Sequence, residues 1–228
     1  MTPPPADQAT LDTAVRLLRE AGERTLRWFR AADLMVERKG DGTPVTAADK
    51  DAERFLREQL ADAFPADGIL GEEEAPTPGT SGRRWIIDPI DGTKAFTCGV
   101  PLYSNLLALE DEHGIAVGVV NLPALGETVW AGRGLGCWSD RGPAQVSDHP
   151  TLEGAYVMSS SFSHWAPGTV AALEAACCAR GATATATPSW PPDERRRWST
   201  PRSSPTTWGR CPCCSPRPGD ASPTSPAR

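Results

Sequence analysis

Along residues 8–30 apolar side chains return every three or four positions. Leu11, Ala14, Val15, Leu18, Leu26 and Phe29 form one stripe, and charges fill the opposite face. That period predicts an amphipathic helix, with Gly22 as a small bridge in its middle turn. A second stripe, Ala52, Phe55, Leu56 and Leu60, follows Thr46; Thr46 with Asp49 three residues on makes a capping-box pattern, so a second helix is expected to start near Thr46. Farther along, the period shortens. RRWIID (83–88), YSNLLAL (103–109), IAVGVV (115–120), ETVWAG (127–132) and AYVMSSS (155–161) are β-type runs divided by glycine, proline or charged turns, and they predict strands. Helices first and strands afterwards predict a layered α/β or α+β domain.

The pattern then stops. Beyond Leu173 there is no Leu, Ile, Val, Met, Phe or Tyr, and nearly half of the 23 prolines lie there. Such a segment cannot bury enough apolar surface to offset the ordering of its backbone. Two parts are therefore expected: residues 1–165 as an αβ domain, and 166–228 as an aberrant Pro/Arg-rich tail without a core.

Composition narrows the function classes. A chain of 228 residues is large enough for an enzyme. Its formal net charge of −6 supplies no attraction to nucleic acid or an anionic membrane, which favours a small diffusible substrate. No run approaches the roughly 20 apolar residues of a membrane-spanning helix, and MTPPPADQAT has no leader features, so a soluble cytoplasmic protein is expected. Seven cysteines, an odd number unevenly placed, predict thiols rather than a disulfide framework, and the CPCC run has no second pair at zinc spacing.

The chemistry concentrates in GEEEAPTPGTSGRRWIIDPIDGTKAF. The run Trp85–Ile87 delivers Asp88, Pro89 stiffens the turn, and Asp91 comes three residues after Asp88 with Gly92 and Thr93 next. Two carboxylates are expected close together on a rigid loop. Mg²⁺ takes oxygen ligands in octahedral geometry, and Asp88, Asp91, the Ile90 carbonyl and a Glu of GEEE can supply them. Two such ions about 3.5–4 Å apart can activate a water and neutralise the leaving oxygen of a phosphate ester. A helix starting after DGT would also turn free N–H groups toward the phosphate. Singly, DP and DG are turn dipeptides and EEE a solvated run; it is their combination that points to a metal site. Lys39 reads equally as a solvated flank, and Asp49 equally as the third helical residue of a capping box. Ser159–Ser161 with His164 lack a nucleophile elbow and read as loop.

The motifs KGDGTPVTAAD, GEE and WIIDPIDGT resemble the inositol monophosphatase family of Mg²⁺-dependent, lithium-sensitive phosphatases, over about Leu11 to Ser160. Within it, DGTKAFTCGVPLYSNLLAL is most similar to the histidinol-phosphate phosphatase branch. Lys94 stands where inositol phosphatases usually carry threonine, and Ala95 departs from the asparagine usual in both. The resemblance implies a layered α/β sandwich that hydrolyses a small phosphate monoester, histidinol phosphate or inositol monophosphate, with Mg²⁺ as cofactor and no covalent phosphoenzyme. It is compatible with a homodimer. It implies that Glu72, Asp88 and the Ile90 carbonyl hold a first metal and that Asp88 and Asp91 share a second. Thr93, Glu72 and Asp49 would orient the attacking water, and substrate phosphate would rest on Gly92, Thr93 and Asp91.

The family pattern continues with a GD segment, an apolar VA.G.A stretch, a last Asp ligand in a W-D or Y-D pair, and an EAGG.FTD close; none is at its place here. A shift of one register in the reading frame accounts for this. If each codon takes the third base of one residue and the first two of the next, TTWGRCPCCSPRPGDASPTS can be read as YDVGPLPLLLAEAGRRFTDL. The same offset from Thr183 gives a family-like stretch as well. We therefore expect the frame to have been lost between about His164 and Gly181, and this chain to show little activity. The competing reading is a non-catalytic family member with a disordered interaction tail.

Overall fold

The structure is a computed structural model that describes residues 3–38, 40, 44–146, 151, 156–158, 166, 168–169, 172–173 and 179–181. The chain divides between Trp190 and Pro191, and every described element lies in the first unit. Lys39, His164, Ser159 to Ser161 and everything from residue 182 lie outside the described residues.

The first helix, α1, spans Gln8–Trp28 and opens on Asp7, whose carboxylate accepts from the Thr10 amide at 2.9 Å. Its stripe faces the core as expected, with two differences. Leu17 is fully buried although the stripe did not include it, whereas Leu26 is 40% exposed and the adjacent Thr25, fully buried, takes the inward position in that turn. Strands β1 (Val36–Arg38) and β2 (Pro44–Thr46) pair antiparallel. The second helix, α2 (Ala47–Ala63), starts where the capping box placed it. Thr46 Oγ1 accepts from the Ala48 amide, and Asp49 Oδ2 takes both the Thr46 amide (2.8 Å) and its hydroxyl (2.6 Å).

Strands β3 (Gly68–Leu70), β4 (Arg84–Asp91), β5 (Ser104–Asp111), β6 (Gly114–Leu122), β7 (Glu127–Gly132), β8 (Gly136–Ser139) and β9 (Gly142–Pro143) form one sheet of seven in chain order. Within this sheet only the β3–β4 pair is parallel. A one-turn helix, α3 (Thr93–Thr97), leaves the end of β4. Of the AYVMSSS run, Tyr156–Met158 forms β10, parallel to β11 (Ala179–Gly181). Strand alternation then decides the core. Trp85, Ile87, Leu107, Leu109, Val117 and Val119 share one sheet face and pack on Leu11, Leu17 and Leu18 of α1 and Leu56 and Leu60 of α2. Each such side chain stabilises the fold by about 2 kcal/mol. The result is the expected α/β layering, helices against one face of a mostly antiparallel sheet. Among the described residues no helix is long and apolar enough to cross a membrane, and Cys98 and Cys137 form no disulfide.

Candidate functional site

Sequence alone suggested that Asp88 ends a strand and that Asp91 lies on a loop. The structure corrects this: β4 runs on through Asp91, and its pairing with β5 is bulged between the two. Asp88 pairs with Leu106 and Asp91 with Ser104, so three steps on β4 match two on β5. In a regular strand, residues three apart point to opposite faces. The extra residue restores the match, and both carboxylates come out on one face. Pro89 suits the bulge because it has no N–H to leave unpaired.

The carboxylates are under mutual electrostatic pressure. Burial, then the negative charges of Glu72 and Asp91, push Asp88 up to about 7, and a hydrogen bond to Glu72 acts in the same direction. Asp88 Oδ1 is buried with no hydrogen-bond partner among the described residues. Asp49 is almost wholly buried; desolvation raises its pKa, and Glu72 adds to the shift. The capping role read for Asp49 is thus present, and its carboxylate also lies within the field of the others. Ser104 Oγ reaches Asp91 Oδ2 at 3.4 Å. Beyond the bulge, Gly92 is left-handed (φ +87°) and starts α3, while the Thr93 hydroxyl donates to the Ile90 carbonyl at 3.0 Å. That carbonyl keeps a second lone pair.

Glu72 owes its place to a residue the sequence reading missed. Glu53 is fully buried on α2. Its Oε2 accepts from the amides of Glu72 (3.0 Å) and Glu73 (2.7 Å), and its Oε1 from the amide of Glu74 (3.0 Å). Arg57, one turn on, balances the charge at 2.8 Å and donates to the Glu74 carbonyl. The carboxylate thus pins the GEEE loop from beneath. Gly71 is required there, since a Cβ would stand 1.9 Å from Glu53 Oε1. A signal did exist, because Glu53 falls on the same helical stripe as Leu56 and Leu60, and a charge on a buried stripe demands partners.

Among the described residues no three His, Cys, Asp or Glu side chains already converge as metal ligands. The donors nevertheless fit a hard cation: carboxylates and a carbonyl, one carboxylate oxygen buried and unpartnered, the group held above its ordinary pKa by its neighbours. A cation would satisfy that oxygen and relieve that repulsion.

Residues 7–189 match the profile of the inositol monophosphatase family. The chain belongs to the inositol monophosphatase family. Similar curated family members include the histidinol-phosphatase of Chlorobaculum parvum, 49% identical over 137 residues, which covers 60% of this chain and 53% of that protein. The histidinol-phosphatase of Mycobacterium tuberculosis is 43% identical over 161 residues, covering 68% and 62%. Among solved structures, the extragenic suppressor protein suhB of Bartonella henselae superposes with a TM-score of 0.71 at 29% identity, over 78% of this chain and 72% of that one. The chain spans little more than half the length of the curated relatives it matches.

Proposed function

We propose that the chain is built for Mg²⁺-dependent hydrolysis of a small phosphate monoester, histidinol phosphate first and inositol monophosphate second. The observation that carries this is the β4 bulge, which sets Asp88 and Asp91 on one face with Glu72 bonded to Asp88 and one Asp88 oxygen unsatisfied. Further support comes from relatives named histidinol-phosphatase.

In this reading Glu72, Asp88, Asp91 and the Ile90 carbonyl hold the cation, which supplies charge neutralisation at the ester phosphate and polarisation of the attacking water. The residues themselves do the rest. Glu72 and the Thr93 hydroxyl orient the water, with Asp49 behind them, and the Gly92 and Thr93 amides with Asp91 border the phosphate. Burial and the charges of Glu72 and Asp91, which raise Asp88 to about 7, leave it only partly ionised near neutral pH, and a bound cation would favour its ionised form. Residues 1–165 form the catalytic part, 166–228 an out-of-frame tail, and the chain works in the cytoplasm. The tail withholds the last carboxylate of the second metal, so turnover is low.

The test is phosphate release from histidinol phosphate and from inositol 1-phosphate, with and without Mg²⁺, beside Asp88→Asn. Weak Mg²⁺-dependent release that Asp88→Asn abolishes is expected. A folded sample that releases none from either ester favours the non-catalytic reading. Resequencing decides the tail: an intact frame in the present register, with no family-like second half in the alternative frame, would refute the shift.

A further inference from the structure

One buried polar feature has no part in those roles. Asn105, Asn121 and Thr128 form a row across β5, β6 and β7, each directly opposite the next. All are buried: Asn105 is 0% exposed, Thr128 3% and Asn121 5%. They sit on the helix-facing side of the sheet, at alternation with Leu107, Val119 and Trp130, where apolar side chains are the rule. Polar groups in such places persist only when fully bonded.

Their bonds run in one direction. The Arg19 guanidinium, which can only donate, gives Nε–H to Thr128 Oγ1 at 3.2 Å, and Thr128 passes its own hydrogen to Asn121 Oδ1 at 3.1 Å. Asn121 Nδ2 donates to Asn105 Oδ1 at 3.2 Å, and Asn105 Nδ2 donates to the Pro89 carbonyl at 2.6 Å. A carbonyl can only accept. An obligate donor at one end and an obligate acceptor at the other therefore fix how both amides are turned.

The acceptor lies inside the bulge. Between Asp88 and Asp91 the β4–β5 ladder is interrupted, so the Pro89 carbonyl needs a partner from elsewhere. Asn105 provides it from the next strand. Gly22 of α1 makes room, since a Cβ there would stand 2.1 Å from Asn121 Nδ2 and 3.0 Å from Asn105 Oδ1.

We infer that Asn105 is a positioning residue: through the Pro89 carbonyl it holds the bulge that presents Asp88, the Ile90 carbonyl and Asp91, and the Arg19–Thr128–Asn121 chain holds Asn105. This rests on the proposed cation site for its functional meaning, but its structural content is independent of it.

The test compares the full chain with Asn105→Ala and with Val117→Ala, a core truncation on the same sheet face that touches none of these bonds. Two readouts are taken well below each variant's Tm: hydrogen exchange of the amides from Asp88 to Thr93, and Mn²⁺ binding by electron paramagnetic resonance. Asn105→Ala is expected to speed exchange in that segment and to weaken Mn²⁺ binding about 10-fold, the usual effect of losing an outer partner of a ligand. Val117→Ala should do neither at a similar loss of Tm. Equal behaviour of the two variants overturns the inference. If Asn105→Ala does not fold, Asn121→Ala is expected to change both readouts in the same direction by less, and wild-type values from it overturn the inference equally. If the parent chain binds Mn²⁺ but hydrolyses no ester, the proposed function falls and the positioning role stands. If it binds no Mn²⁺, the exchange comparison alone decides.

Discussion

Two neighbouring rows on the same sheet face are built on opposite principles. Ile87, Leu107, Val119 and Trp130 lie across four strands as an apolar row packed under α1. One alternation step along the strands, Asn105, Asn121 and Thr128 replace it with hydrogen bonds. Arg19 stands at the end of both, its guanidinium 5.3 Å from the Trp130 ring and bonded to Thr128. The apolar row needs only shape and stabilises by burial, whereas the polar row gains little net energy because each bond replaces one to water. What the polar row supplies is direction: it ends on the carbonyl that shapes the carboxylate bulge. Stability and geometry are thus assigned to adjacent rows.

The difference can be broken experimentally, and the largest effect belongs to the carboxylates. Asp88→Asn is expected to cut Mg²⁺-dependent phosphate release by roughly 100-fold or more, since a ligand matters more than the outer partners whose loss costs 10–100-fold. Its Tm without metal should be unchanged or higher, because a strained buried charge is gone. Glu53→Ala breaks a buried ion pair and frees three loop amides. Denaturation should show a loss of about 3–5 kcal/mol, with weaker metal binding. Leu107→Ala, in the apolar row, should cost about 3 kcal/mol and leave metal affinity per folded molecule unchanged; a large loss of affinity would join the two rows.

Gly22→Ala sets two effects against each other. Helix propensity favours alanine by about 1 kcal/mol, but the clash with Asn121 costs about 1–3 kcal/mol. A net loss in chemical denaturation is expected, and a gain would show that the row can shift. The smallest effect is the pH dependence of the metal-free protein. Asp88 is raised from 3.8 to about 7, so the folded state holds more protons than the unfolded chain between those values, and stability falls as pH rises through that window. Solvent at the bulge screens much of this, so a few degrees of Tm between pH 5 and pH 8 is the expected scale. Mg²⁺ should raise Tm more at pH 8 than at pH 5, and the opposite order would exclude Asp88 as its ligand.

Much of the fold was legible because local patterns agreed with global packing. The α1 and α2 stripes, the capping box at Thr46 and four of the main strands needed only periodicity and turn chemistry. The D-P-I-D-G-T segment with G-E-E upstream marked the candidate site. The bulge was not legible, because it is a mismatch between β4 and a partner some fifteen residues later in the chain. Leu26 was misread because a small polar residue, Thr25, takes the inward position in that turn, which a pattern of apolar residues does not reveal. Glu53 and Asn105 were visible only as polar residues at buried-phase positions, a sign that something is bonded without saying what.

The sequence by itself determined which segments curl or extend, which residues carry charge, and that two aspartates sit three positions apart in one short segment. These follow from interactions among residues a few positions apart. Only the tertiary structure decided that Asp88 and Asp91 share a face, that Glu53 reaches beneath the loop of Glu72, and that a line of hydrogen bonds from Arg19 ends on Pro89. The reason is physical: strand register and the direction of a hydrogen bond are properties of pairs brought together across the sheet, and no single segment contains both partners.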